Sequence, residues 1–259
     1  MKAIPEPIQF FSKNYLNEFC ELEYSSDSSF NFLSLCDFNP YKTNNLIHNS
    51  PTLEFRIYFK NEYSEYITRA IDTIILQNMN IRNFQVKGIV NGGLKYVMCN
   101  IVDNDKSNLK IKLDRVWEVV AIEISISRTI SDVTSIYLGQ LRFCKFLCDL
   151  NATTETEVQP IVSEDSLRTY DGSLTHWVNY EKWGARISAR NIKKEQFNLI
   201  KNKLRDDGYI TIIPWESWDI KDIFQVRIPM KSIGTYAVNR WSGLISTSLT
   251  IEAQENANN

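Results

Sequence analysis

From Leu53 to Leu150 apolar and polar residues alternate with a period of two, the pattern of strands that bury one face. Leu53, Phe55, Ile57 and Phe59 alternate with Glu54, Arg56 and Tyr58. A short apolar run, Ile71 to Leu76, predicts the next strand and stops at Gln77-Asn78. Phe84, Val86 and Ile89 lead into Asn91-Gly92-Gly93, residues that accept positive φ and so predict a hairpin turn. Leu94 to Ile101 returns, and Leu109, Ile111 and Leu113 then alternate with lysines and Asp114. Ile122, Ile124 and Ile126 alternate cleanly with Glu123, Ser125 and Ser127, and a last strand runs from Ile136 through Phe143. About seven short strands with turns between them predict an antiparallel β-sandwich over residues 51–150.

The flanks read differently. Residues 1–50 carry no sustained period and predict an extended arm with one early strand. Asn151–Pro160 is polar, lacks periodicity and ends in proline, the composition of a linker. Residues 161–253 predict a small α+β domain with one amphipathic helix. Asp171-Gly172 is a turn between Leu167–Tyr170 and Leu174–Val178. Ala185, Ile187 and Ala189 alternate with Arg186, Ser188 and Arg190, giving one apolar and one cationic strand face. Asn191 is placed to cap a helix in which Phe197, Ile200 and Leu204 recur at three- and four-residue steps, and Gly208 is placed to end it. Strands follow at Tyr209–Ile213 and Phe224–Ile228, and a final strand sets Ile245, Thr247, Leu249 and Ile251 on one side. Residues 254–259 read as a frayed tail. The fold class is mainly β: a sandwich followed by a small α+β domain.

Composition narrows the function classes. The 259 residues are 43% hydrophobic and 23% charged, the balance of a globular protein. A formal charge of −2 argues against a nucleic-acid partner, which requires a concentrated basic surface. No apolar window is long enough for a membrane span, and no basic-then-apolar leader opens the chain. The expectation is a protein that stays in the cytosol where it is made, or leaves it inside an assembly. Five cysteines, Cys20, Cys36, Cys99, Cys144 and Cys148, lack framework spacing and read as free thiols.

Candidate chemistry is sparse. The two histidines, His48 and His176, have no second ligand or acid at a useful spacing. Asp103, Asn104 and Asp105 offer either a carboxylate calcium loop or a solvated turn. Neither a phosphate-cradling motif nor a paired carboxylate set stands out. No catalytic residue, metal or cofactor is therefore assigned. Trp215 and Trp218, in the loop PWESWD, are candidate partner contacts, stacking on a sugar ring, filling a pocket on a protein, or folding back on the sheet. Arg186 and Arg190, with Lys193, form a basic face that suits an acidic partner or simply water.

Several segments resemble a known family. Ile71–Asn80 followed by Ile81–Val86, and Trp117–Ser127 followed by Ile136–Phe143, resemble the discoidin-like (galactose-binding-like) jelly rolls in tail proteins of tailed bacteriophages. Arg168–Trp177, Glu181-Lys182-Trp183, the helix and Phe224–Ile228 are similar to phage distal-tail and baseplate modules. The resemblance implies a structural, non-enzymatic virion component without a cofactor. It would assemble in a ring with copies of itself and with other tail or baseplate proteins. The alternative expectation is a carbohydrate-binding adhesion module that meets a host-surface glycan through its sandwich loops.

Overall fold

The computed structural model describes residues 7–24, 35, 46–151, 157–158, 161–168, 174–213, 224–228 and 236–256. Strands dominate, the described pairings are antiparallel, and one long helix is present among the described residues. The chain forms two compact units, Asn14–Phe146 and a second made of Met1–Lys13 with Leu147–Asn259. These limits differ from the sequence expectation of 51–150. Among the described residues before 50, Ile8 and Phe10 pack into the core of the second unit, whereas Tyr15, Leu16, Cys20 and Leu35 pack into that of the first. The first strand, β1 (Ile8–Phe11), pairs with the C-terminal unit.

The sandwich unit contains β2 (Glu21–Tyr24), β3 (Leu46–His48), β4 (Leu53–Tyr58), β5 (Arg69–Met79), β6 (Ile81–Ile89), β7 (Lys95–Ile101), β8 (Leu109–Val119), β9 (Ala121–Thr129) and β10 (Ile136–Cys144). They form a five-stranded sheet in the order β2-β4-β9-β6-β7 and a four-stranded sheet in the order β3-β10-β5-β8. Alternation explains the packing. Phe55, Ile57, Ile122, Ile124, Phe84 and Val86 point from the first sheet into one apolar cluster with Ile74, Leu76, Leu138, Leu141 and Phe143 from the second. Each such side chain, fully buried, contributes roughly 1.5–3 kcal/mol.

β5 does not stop at Gln77-Asn78 but continues to Met79. Asn78 takes φ 52°, a left-handed conformation inside a strand, and this changes which face the following residue meets. Ile74 and Leu76 are two apart, Met79 three further on, yet all three reach the core. Asn78 is held there by both ends: its N–H donates to Asn108 Oδ1 at 2.8 Å and its Nδ2 to the Tyr137 hydroxyl at 2.6 Å. The Asn91-Gly92-Gly93 turn forms as expected, with Gly92 and Gly93 at φ 99° and 83°.

The outer face of the five-stranded sheet carries a row of charges in register: Glu23, Arg56, Glu123 and Lys87. Glu123 is the centre, with its side chain 2% exposed and paired to Arg56 at 2.8 Å, Lys87 at 3.2 Å and Lys95 at 2.5 Å. Burial works to raise its pKa, but hydrogen bonds from Lys95, Arg56 and Lys87 outweigh that and hold it at about 2. Where the edge strands β7 and β8 meet, Tyr96 packs on Trp117 with ring centroids 6.1 Å apart. Arg115 covers Trp117 at 3.9 Å and Asp114 accepts the indole N–H at 3.1 Å. Gly88, opposite Tyr96, permits this close edge: a Cβ there would lie 2.6 Å from Val119 Cγ1 and 2.8 Å from Met98 Sδ.

The second unit continues with β11 (Phe146–Leu150), β12 (Glu157–Val158), β13 (Ile161–Arg168), β14 (Leu174–Ile192), helix α1 (Lys194–Asp207), β15 (Ile210–Ile213), β16 (Phe224–Arg227), β17 (Tyr236–Val238) and β18 (Ile245–Asn256). Its sheet runs β11-β1-β15-β16-β18-β14-β12, with β13 on β14 and β17 on β18. The helix buries Phe197, Ile200 and Leu204 against Ile187, Ile212, Leu249 and Ile251. Gly208 closes it in the left-handed region at φ 76°, its N–H donating to the Leu204 carbonyl.

Several boundaries moved. The two strands expected at Leu174–Val178 and Ala185–Arg190 are one 19-residue strand. Asn191 is a bulge rather than a cap: it sits at φ 60° where the register with β18 shifts between Ala189 and Ile192. The helix begins after Lys193, whose N–H donates to Gln196 Oε1 at 3.2 Å. Glu157–Val158, inside the expected linker, pair with β14. β18 extends to Asn256, past the expected end at 253. The Asp171-Gly172 turn lies outside the described residues.

Two outcomes are expected. Gly88→Ala forces the stiff Val119 side chain to move and lowers stability by about 1–3 kcal/mol, read as a drop in thermal midpoint. Glu123 has a folded pKa below its unfolded value, so its stabilisation is complete above the ordinary carboxylate pKa and is lost as pH falls towards 2. Glu123→Gln therefore costs about 2 kcal/mol at neutral pH and flattens the acid limb of a melting-temperature series.

Candidate binding site

The strand register places one set of loops together. Glu21, Tyr58, Ala121, Ile89 and Lys95 form one transverse row of the five-stranded sheet. That row is the start of β2, β9 and β7 and the end of β4 and β6, so the β4–β5 and β6–β7 connections leave from the same end. Backbone bonds carry the row into the loops: Phe59 N–H to Val120 O at 2.9 Å, Val120 N–H to Ile89 O at 2.8 Å and Ile67 N–H to Phe59 O at 2.9 Å. Apolar and aromatic side chains stand open here, with Tyr63 75% exposed, Tyr66 60% exposed and Phe19 and Leu94 also exposed.

The β4–β5 loop is pinned by Asn61. Its Oδ1 accepts from the N–H groups of Tyr63 at 3.0 Å and Glu65 at 2.9 Å, while its Nδ2 donates to Glu65 Oε2 at 2.8 Å. Ser64 at φ 62° completes the turn, and a bridge pairs Lys60 with Tyr66. The result is a loop whose conformation is set by its own polar groups.

Tyr66 is held by three neighbours. Its hydroxyl donates to Glu21 Oε2 at 3.2 Å, the Lys60 ammonium lies 4.7 Å from its ring centroid, and Tyr58 meets it edge-on at 5.7 Å. Lys60 and Glu21 are themselves paired at 2.6 Å. The hydrogen bond from Lys60 lowers the pKa of Glu21, and the same bond raises that of Lys60. Tyr58 continues the network: its hydroxyl donates to Glu23 at 3.1 Å and accepts from Arg56 at 3.2 Å. An open aromatic ring thus stands beside a cation and a carboxylate, with a second such pair, Arg56 and Glu23, two rows deeper.

The pKa shifts follow from these contacts and from burial. Glu21 and Glu123 are pushed down, away from the range of a general acid. Burial raises the thiols of Cys20, Cys99 to about 11 and Cys148 to about 12, so none is a thiolate near neutral pH. Among the described residues no group of three or more His, Cys, Asp and Glu side chains could hold a metal. No described helix is long and apolar enough to cross a membrane.

The residues singled out from sequence fall elsewhere. Trp215 and Trp218 lie outside the described residues. Arg186 and Arg190 are exposed on β14 in the other unit, and Arg186 Nε donates to Ser248 Oγ at 3.0 Å. His48 and His176 belong to β3 and β14, in different units. In the Asp103–Asp105 segment, Asp103 pairs with Arg82 at 3.1 Å and Asn104 donates to the carbonyls of Ile81 and Lys106, both at 2.8 Å. That segment is a structural turn.

Sequence reasoning passed over Lys60–Tyr66. Two tyrosines in a polar turn were visible, but Glu21 reaches them only through the β2–β4 pairing. It also passed over Trp241, which is 99% exposed between β17 and β18.

No protein-family model matches the chain, and no curated protein matches it. Solved structures with similar architecture include a family 32 carbohydrate-binding module from Streptococcus pneumoniae EndoD, with 8% identity, 51% of this chain and 98% of that one covered, and a TM-score of 0.44. The family 32 module of Clostridium perfringens NanJ, solved in complex with galactose, has 11% identity, 53% and 99% coverage and a TM-score of 0.38. A Streptococcus pneumoniae fucose-binding module, SpX-3, has 14% identity, 51% and 96% coverage and a TM-score of 0.40. The likeness is one of β-sandwich architecture over about half of this chain.

Proposed function

We propose that the chain is a non-catalytic carbohydrate-binding module that recognises a glycan through the loop end of its sandwich. One observation carries the reading: Tyr66 is open to solvent on a self-locked loop, beside a Lys60–Glu21 pair. A pyranose presents an apolar C–H face and a rim of hydroxyls. The tyrosine ring suits the face, and a cation next to a carboxylate supplies a donor and an acceptor to neighbouring hydroxyls. Preorganisation by Asn61 reduces the ordering cost of binding. A shallow, exposed platform of this size supports weak affinity, with a Kd around 1 mM.

A second reading keeps the same module inside a larger particle, as a structural part of a phage tail or related injection machine. Trp241, fully open on the C-terminal unit and apart from the loop end described above, favours it. The two readings are compatible, because a tail protein that adheres to host-surface glycan would need both a binding end and an assembly surface. Negative-stain images of the purified chain separate them: rings or sleeves support the assembly role, and discrete single particles count against it.

Calorimetric titration with galactose and with fucose tests the main reading. Saturable binding of at least one sugar is expected, and Tyr66→Ala is expected to weaken it fivefold or more while the variant keeps a single cooperative melting transition. Absence of binding to both sugars and to a broad glycan array would end it.

A further inference from the structure

The hairpin of β17 and β18 lacks the protection found on another edge of the molecule. β8, at the border of the four-stranded sheet, bears Lys110, Lys112, Arg115 and Glu118, charges that discourage pairing with another chain. β17 is Tyr236-Ala237-Val238, with every residue exposed, and among the described residues it pairs with β18 only. Arg240 is the single charge between Tyr236 and Leu244.

The turn beyond β17 is firmly built. The Asn239 N–H donates to the Leu244 carbonyl at 2.9 Å, and the Gly243 N–H donates to the Asn239 carbonyl at 2.8 Å. Asn239 Oδ1 accepts from the N–H groups of Trp241 at 2.9 Å and Ser242 at 3.2 Å. Gly243 takes φ 69°, which closes the loop. This turn presents Trp241 at 99% exposure, with Tyr236 and Val238 also open on the strand behind it. Tyr236 is steadied from inside by Phe197, at a ring distance of 5.1 Å. Tryptophan, tyrosine and arginine on a rigid support are the residue types that dominate protein–protein hot spots.

We propose that this hairpin is a homotypic docking site, at which β17 pairs antiparallel with β17 of a second copy of the chain. Pairing about Ala237 sets Tyr236 opposite Val238 of the other copy, an aromatic against a β-branched side chain, which is a favourable cross-strand pair. The same two-fold places the two Arg240 side chains at opposite ends of the junction, about 20 Å apart along the strands. That exceeds the Debye length at physiological salt, so their repulsion is negligible. An isologous contact of this kind needs no second surface on the protein. Its area decides its strength. A three-residue strand and one tryptophan fall short of the roughly 800 Å² per partner of a stable interface. The pairing is therefore weak, with a Kd on the order of 0.1–1 mM. Such a contact acts when copies are already concentrated side by side. The proposal does not rest on sugar binding, which involves the other unit.

Sedimentation equilibrium of the full chain tests it over a range from about 10 μM to about 1 mM. The weight-average mass is expected to rise towards twice that of one chain, and Val238→Lys is expected to hold it at the monomer value. Val238 is exposed, so the melting temperature of the variant should match the wild type and show that the fold is intact. A wild-type mass that stays monomeric throughout the range overturns the proposal. So does a rise that Val238→Lys leaves unchanged, since a lysine in the paired edge must oppose the junction.

Discussion

Burial of one shared apolar layer between two antiparallel sheets is the constraint on which the sandwich depends. Ile57, Ile74, Ile122 and Phe143 are inaccessible to water, and they arrive from both sheets. A strand that slipped by one residue would turn its whole apolar set outward. Register is therefore fixed by the core, and everything on the surface inherits its position from that register. Asn78 shows how strictly this is enforced. The chain adopts a left-handed conformation at a non-glycine residue so that Met79, as well as Leu76, faces inward.

Once register is set, the outward residues sort themselves by row. Glu23, Arg56, Glu123 and Lys87 become neighbours across four strands, although they are scattered through about a hundred residues of sequence. Glu123 is tolerated below the surface only because three cations surround it. Two rows nearer the loops, Glu21 is brought beside Lys60 and Tyr66 by the same pairing of β2 with β4. The charge row and the candidate sugar platform are thus two consequences of one strand alignment.

Electrostatics gives the loop end its character. Its carboxylates are engaged by cations and stay ionised, and the thiols, where shifted, are raised by burial. What the surface offers is fixed hydrogen-bonding partners around an open ring. The C-terminal unit contributes a different kind of surface: a rigid turn, an edge strand that among the described residues pairs on one side only, and a solvent-facing indole.

Periodicity alone located most strands of the sandwich, the Asn91-Gly92-Gly93 turn, the face of α1 and the inward side of β18, because each depends on residues close in sequence. Cysteine spacing also indicated free thiols, which holds for Cys20, Cys99, Cys144 and Cys148. Other features were decided only by tertiary pairing. β1 left the N-terminal stretch to join β15, and β14 proved continuous through Glu181-Lys182-Trp183 because long partners run beside it on both sides. Asn191, a plausible cap by residue type, became a bulge because β14 continues pairing to Ile192. The site was the least legible part. A tyrosine in a polar loop looks like any other until a glutamate from a distant strand meets its hydroxyl, and Trp241 looked ordinary until folding left it uncovered. Local patterns reveal which face of an element is apolar. Which elements become neighbours depends on contacts between residues far apart in the chain, and one-dimensional spacing does not encode them.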